Sequence, residues 1–181
     1  MAGSSLLSAQ AMIDIAQLRP GMRVADFCAG RTGHLVLPLA RTVGNEGAVY
    51  AVDIHPEALS MLQGHRSLHT LPHLSVVRGD IERFGGISGI EPRSLDRIFL
   101  INTLWMTRRF ASIVAEARRL LTSEGVIIVV DWEPGTRHAV APESSLRVTP
   151  QSVDRVFADG GCTQCGEFQP GRHHWGRIYS A

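Results

Sequence analysis

Lysine is absent: all eighteen basic side chains among the 181 residues are arginine. That excludes a Schiff-base lysine, a lysine general base and the lysine of a phosphate-binding loop. No single site requires such a bias, so it reads as a property of the lineage. Cysteine is scarce as well, with three residues and hence no complete disulfide framework. The N-terminus, MAGSSLLSAQAMIDIAQL, carries neither a basic leader nor a long apolar core. Together these predict a reducing, cytoplasmic compartment with no targeting or membrane segment. Charge of one sign is also missing: the net charge is +1, which gives no drive toward nucleic acid or an anionic membrane. There is no internal repeat, low-complexity tract or domain-splitting linker. What is present is an ordinary globular composition, 44% hydrophobic and 19% charged, consistent with a single domain over residues 1–181.

The periodicity alternates between helix and strand. A helix is expected over 5–18, stopped by Pro20-Gly21, followed by a strand at 23–28 and a helix at 33–43. A strand at 47–53, a helix from Pro56 to 65 and a strand at 73–78 come next. The run 95–101 is almost continuously apolar, as a central parallel strand covered on both faces requires. A helix at 107–121 and an apolar strand at 125–131 complete the alternation. Residues 133–149 show no period and hold two prolines and a glycine, which suggests a functional loop that could close over the substrate as a lid. A helix at 150–159 leads to two strand-like runs, 162–168 and 174–180, with Gln169-Pro170-Gly171 as the turn of a closing hairpin.

Chemistry concentrates in residues 24–34, Val-Ala-Asp-Phe-Cys-Ala-Gly-Arg-Thr-Gly-His. The spacing Cys28-x-Gly30-x-x-Gly33 is a dinucleotide fingerprint with its first glycine replaced. A pyrophosphate lodges at a helix N-terminus because partial positive charge gathers there, and the carboxylate of Asp26 at the mouth of the turn opposes one. A cationic nucleoside ligand such as S-adenosylmethionine, with an ammonium, a sulfonium and no phosphate, suits that acid. Asp53 ends the second strand, and Gly79-Asp80 ends the third, where a side-chain acceptor can meet an adenine amine.

On these residues, and on the final hairpin, the chain resembles the class I S-adenosylmethionine-dependent methyltransferases over essentially its whole length. The resemblance implies an α/β fold: a three-layer αβα Rossmann-like sandwich with a seven-stranded, mostly parallel sheet, order 3-2-1-4-5-7-6, strand 7 antiparallel. It implies S-adenosylmethionine as cofactor and S-adenosylhomocysteine as product. Asp26, Gly30 and the turn to Gly33 resemble the motif against the methionine part. Asp53 matches the acid that accepts from the ribose hydroxyls, with Ile54 on the adenine. Asp80 and Ile81 match the adenine-edge pair, and Asn102 and Thr103 lie where the family lines the space near the transferable methyl. Cys28 and Thr32 depart from the pattern, standing where glycines are common.

The acceptor is less legible. There is no Asn/Asp-Pro-Pro-aromatic motif after the fourth strand, no cysteine after the fourth or fifth, and the fourth ends in Asn102 in place of an acid. These argue against amino-group methylation of adenine or glutamine, a covalent cytosine adduct and a catechol-type metal site, respectively. A metal-independent transfer to a small molecule remains. Asp131 is the candidate catalytic residue, orienting or deprotonating the acceptor, with Trp105, Trp132, Glu133 and Arg137 around the pocket. Cys162-x-x-Cys165 has only His173 and His174 nearby and no second pair, so it reads as two buried, inert cysteines, and no metal is expected. His55, His173 and His174 read as surface histidines. Two rivals stay open: a non-catalytic binding or interaction protein of the same fold, and an NAD-dependent oxidoreductase, the latter disfavoured by Asp26 and the missing lysine.

Overall fold

Seven strands form one sheet in the order β3-β2-β1-β4-β5-β7-β6. The computed structural model describes residues 6–181, so residue 5 of the expected first helix lies outside the described residues. The strands are β1 (Arg23–Phe27), β2 (Ala48–Asp53), β3 (Leu74–Arg78), β4 (Leu95–Ile101), β5 (Leu121–Trp132), β6 (Thr163–Gly171) and β7 (His174–Ser180). The helices are α1 (Ala9–Ile15), α2 (Val36–Val43), α3 (Pro56–Leu68), α4 (Phe110–Leu120) and α5 (Pro150–Asp159). Strands β1 to β5 pair in parallel, whereas β7 runs antiparallel to both β5 and β6.

Alternation along the central strands divides the core into two layers. Ile98, Leu100, Ile127 and Val129 pack with Ile113 and Ala117 of α4 and Phe157 of α5. Their neighbours Phe99, Ile128 and Val130 face the other way, onto Met12 of α1, Leu39 of α2 and Leu62 of α3. β4 and β5 are therefore apolar on both faces, as a central parallel strand must be. Among the described residues no helix is long and apolar enough to cross a membrane.

Element ends differ from the sequence expectation for local reasons. α1 stops at Ile15 because Gln17 turns left-handed at φ 49° and Leu18 N–H closes on the Ile13 carbonyl, a Schellman-type end. α2 begins only at Val36, since Gly33 at φ 63° cannot be helical. α4 begins at Phe110, after the Thr107 hydroxyl accepts from Arg109 N–H at 2.9 Å. The hairpin turn falls at Arg172-His173 and not at Gln169–Gly171. The register shifts between Phe168 and Gly171, and Pro170 is carried on the edge strand β6, where a missing N–H is tolerated.

Candidate active site

The turn after β1 is shaped by left-handed backbone. Val24 to Phe27 are buried, and the chain then takes φ of 63° at Cys28, 65° at Gly30 and 63° at Gly33. Glycine adopts this conformation freely, but Cys28 stands in it at a cost of about 1–2 kcal/mol. The missing glycine of the fingerprint is thus replaced by a side chain held in the left-handed conformation that glycine adopts freely. Asp53 fastens the turn from the neighbouring strand. Its Oδ2 accepts from Gly30 N–H at 2.9 Å and its Oδ1 from His55 N–H at 2.9 Å, while Ala29 N–H donates to the Val52 carbonyl at 3.0 Å. Each carboxylate oxygen keeps lone-pair capacity for a further donor.

A cavity of about 310 Å³ opens at these strand tips. It gathers Cys28, Asp53, Ile54, Asp80, Ile81 and Thr103, all expected from the sequence, together with His55, Glu82, Met106 and Thr107. Ile54 is 45% and Met106 55% exposed, so two apolar side chains are held at the cavity without a protein partner to cover them. Asp80 uses Oδ1 to accept from Glu82 N–H at 2.9 Å. The segment after β3 is held by Glu116 on α4. This fully buried carboxylate accepts from Gly85 N–H at 2.7 Å and Ile87 N–H at 2.9 Å, and pairs with Arg119 at 2.6 Å. Burial pushes the Glu116 carboxyl up, but Arg119 and the two amides hold it below its ordinary value.

Asp26 is 5% exposed and sits on β1 beside Asp53. Burial, and then the Asp53 charge, push its pKa up to about 8. The same causes, with further carboxylates added, push the Cys28 thiol up to about 12. The site is therefore short of positive charge, which favours a cationic ligand over a pyrophosphate. Asp26, Gly30 and Gly33 do not line the cavity; they shape and charge the turn behind it.

The residues expected around the acceptor are not brought together. Asp131 has no exposed surface. Its Oδ2 accepts from Leu104 N–H at 2.9 Å and Trp105 N–H at 3.3 Å, and its Oδ1 from Trp132 N–H at 2.8 Å. It thereby caps a 3-10 turn, Leu104–Met106, which carries Met106 into the cofactor cavity. Burial pushes the Asp131 pKa up to about 6 against the lowering effect of the three amides. Trp132 is buried with its ring 4.2 Å from that of His174; Arg137 is exposed. Glu133 lines a separate groove with Gln151, Glu167 and Arg177. Trp105 is half-buried and lines neither cavity. Asn102 borders a different cavity, formed with α1.

Two expectations, for His174 and for Cys165, need correction. His174 is fully buried, with neither ring nitrogen hydrogen-bonded among the described residues, because the β5–β7 pairing sets it opposite Trp132 under the 133–149 segment. Cys162 is buried but Cys165 is exposed, as it lies at a register shift of the edge strand β6. The 133–149 segment is cross-braced by Arg147, which donates to the carbonyls of Pro134, Thr136 and Pro142. Met106 and Glu116 escaped the sequence reading. Only Glu116 left a signal, an acid on the apolar face of a helix with Arg119 three residues on.

A parallel sheet closed by an antiparallel β7, with acids at the tips of β1 and β2 and just beyond β3, defines the class I methyltransferase architecture. The methyltransferase-domain family profile matches residues 18–168, and the chain belongs to that family as an S-adenosylmethionine-dependent methyltransferase. No curated relative matches significantly. Among solved structures, a SAM-dependent methyltransferase from Aquifex aeolicus superposes with a TM-score of 0.86 at 19% identity, covering 96% of this chain and 89% of that one. A TehB-like SAM-dependent methyltransferase from Corynebacterium glutamicum gives 0.71 at 15% identity, covering 99% and 90%. An arsenic(III) S-adenosylmethionine methyltransferase from Chlamydomonas reinhardtii gives 0.70 at 22% identity, covering 90% and 64%. At these identities the likeness establishes the fold. The family assignment sets aside the oxidoreductase alternative.

Proposed function

We propose that this enzyme transfers a methyl group to a small-molecule acceptor without a bound metal. The observation that carries the cofactor part is the 310 Å³ cavity in which Asp53, Asp80 and Thr103 converge from three strand tips, with Asp26 buried behind it. When bound, S-adenosylmethionine supplies a methyl group on a sulfonium and leaves as S-adenosylhomocysteine. Asp53 would accept from the ribose hydroxyls with the lone pairs its two amides leave free. Asp80 would take the adenine amine through Oδ2, with Ile54, Ile81 and Met106 as apolar walls. The Asp26 carboxylate favours the cationic end. Holding donor and acceptor collinear supplies much of the rate advantage in such a displacement.

The donor set near the β4 and β5 tips supports transfer without a metal: Asn102 is neutral, and both Asp131 oxygens are taken by amides. With its oxygens so engaged, Asp131 acts as a positioning residue for the Leu104–Met106 turn. Incubating the enzyme with methyl-labelled S-adenosylmethionine and the separated small-metabolite, protein and RNA fractions of a cell extract tests the function. Label should appear in a small molecule with matching release of S-adenosylhomocysteine; label found only in protein or RNA would refute the acceptor class.

A further inference from the structure

We propose that Glu116, a side chain outside the cofactor cavity, is a positioning residue for the base of the cofactor. Through the turn it holds between β3 and β4, it aims Asp80 at the adenine amine and so sets the preference for adenine. The proposal rests on the methyltransferase reading above, in which Asp80 takes the amine through Oδ2. Asp80, Ile81 and Glu82 line the cofactor cavity, whereas Glu116 lies on α4, fully buried and absent from the cavity wall.

The link runs through a closed turn. Asp80 N–H donates to the Gly86 carbonyl at 3.2 Å, Gly86 N–H to the Arg83 carbonyl at 2.9 Å, and Arg83 N–H to the Asp80 carbonyl at 3.3 Å. Within that ring Asp80 Oδ1 accepts from Glu82 N–H at 2.9 Å, which orients the carboxylate and leaves Oδ2 for a ligand. Ile81 and Ile87 anchor the ends of the turn in the core, but its tip, Arg83 to Gly85, is exposed. Glu116 restrains that tip. Its oxygens accept from Gly85 N–H at 2.7 Å and Ile87 N–H at 2.9 Å, the two amides that flank Gly86. The carbonyl on which Asp80 N–H closes is thereby clamped from both sides.

Burying a carboxylate is costly, and this one is held by paired donors: the two amides, and Nε and Nη2 of Arg119 at 2.8 and 2.6 Å. Arg119 Nη2 also donates to the Ile87 carbonyl at 3.0 Å, so the pair grips Ile87 by both its N–H and its C=O. An apolar side chain would serve the packing of α4 equally well. What the carboxylate adds is a fixed position for two amides of a turn that lines the cavity. The turn has little slack to absorb a displacement. A Cβ built on Gly86 would collide with the Asp80 carbonyl, and one on Gly79 would lie 2.9 Å from the Ile87 side chain. A shift of Gly86 therefore passes to Asp80, one strand tip away from Glu116 itself.

The test is calorimetric titration of the full-length protein with two ligands: S-adenosylhomocysteine, and its analogue whose purine carries hydrogen in place of the amino group. The wild type should bind S-adenosylhomocysteine at least about tenfold more tightly, the worth of one hydrogen bond to a charged group. In Glu116→Gln, which sets an NH2 against donors, that ratio should fall below about threefold. The fall should come from weaker S-adenosylhomocysteine binding, with the analogue's affinity unchanged. Glu116→Asp keeps the charge for Arg119 but withdraws the oxygens; it should act alike, and it carries the test if the glutamine variant does not fold. Gly86→Ala displaces Asp80 from within the turn and should collapse the ratio too. If both ligands weaken equally in folded variants, or neither weakens, Glu116 supports the fold alone and the proposal fails. Equal binding of both ligands by the wild type would also sink it, leaving the cofactor reading intact. Absence of S-adenosylhomocysteine binding to the wild type would remove the methyltransferase reading as well.

Discussion

The two halves of the sheet use the same residue type in opposite ways at their strand tips. On the β1–β3 side, Asp53 and Asp80 each give oxygens to backbone amides and still line an open cavity. On the β5 side, Asp131 occupies the corresponding strand end but accepts from three amides and is wholly enclosed. His174, across from Trp132 on β7, is likewise turned inward. A strand-terminal acid in an α/β sheet therefore marks a place where function is cheap to build, but the neighbouring turn decides whether the acid faces ligand or protein. Here the 3-10 turn after β4 claims Asp131.

The largest expected effect breaks the comparison at that acid. Asp131→Ala leaves the amides of Leu104, Trp105 and Trp132 without an acceptor and should cost about 3 kcal/mol or more in urea unfolding. A loss below about 1 kcal/mol accompanied by complete loss of turnover would instead place Asp131 at the acceptor. Next, His174→Phe should stabilise the protein by about 1–3 kcal/mol at neutral pH, since it removes two unsatisfied buried nitrogens. Burial, then the neighbouring His173 and His138, lower the His174 pKa to about 4 from an ordinary 6.5. The unfolded chain therefore binds the extra proton between those values, and wild-type stability falls as pH drops from 6.5 toward 4. The stabilisation by His174→Phe should grow over that window, as thermal melts at stepped pH would record.

The third effect belongs to the cofactor half. With its pKa raised to about 8, Asp26 is protonated in the free protein below that value. A cationic ligand favours the ionised form, so binding releases a proton, and affinity for S-adenosylmethionine should rise by up to about tenfold per pH unit until pH 8. Calorimetry in buffers of different ionisation enthalpy measures this, and Asp26→Asn should flatten the dependence. The same raised pKa means the free protein binds more protons folded than unfolded between the ordinary 3.8 and about 8, so this residue's contribution to stability declines as pH rises through that window.

Much of the cofactor half was legible because its signals are local. β1 at 23–27, β2 at 48–53 and β3 at 74–78 fall within a residue of where periodicity places them, and the acids at 26, 53 and 80 lie at or just beyond strand ends that hydrophobic runs define. The other half depends on contacts between residues far apart in sequence. The enclosure of Asp131 comes from Leu104 and Trp105, and that of His174 from Trp132; neither leaves a periodic trace. Met106 is equally silent, since its exposure follows from the turn that Asp131 caps. Glu116 holds amides about thirty residues away, at Gly85 and Ile87.

The most direct measurement is calorimetric titration of S-adenosylhomocysteine and of NAD into the wild-type enzyme and Asp53→Ala. The account predicts binding of S-adenosylhomocysteine to the wild type, its loss by at least about tenfold in Asp53→Ala, and no heat from NAD. Saturable NAD binding in place of S-adenosylhomocysteine, or undiminished S-adenosylhomocysteine affinity in the variant, would contradict it.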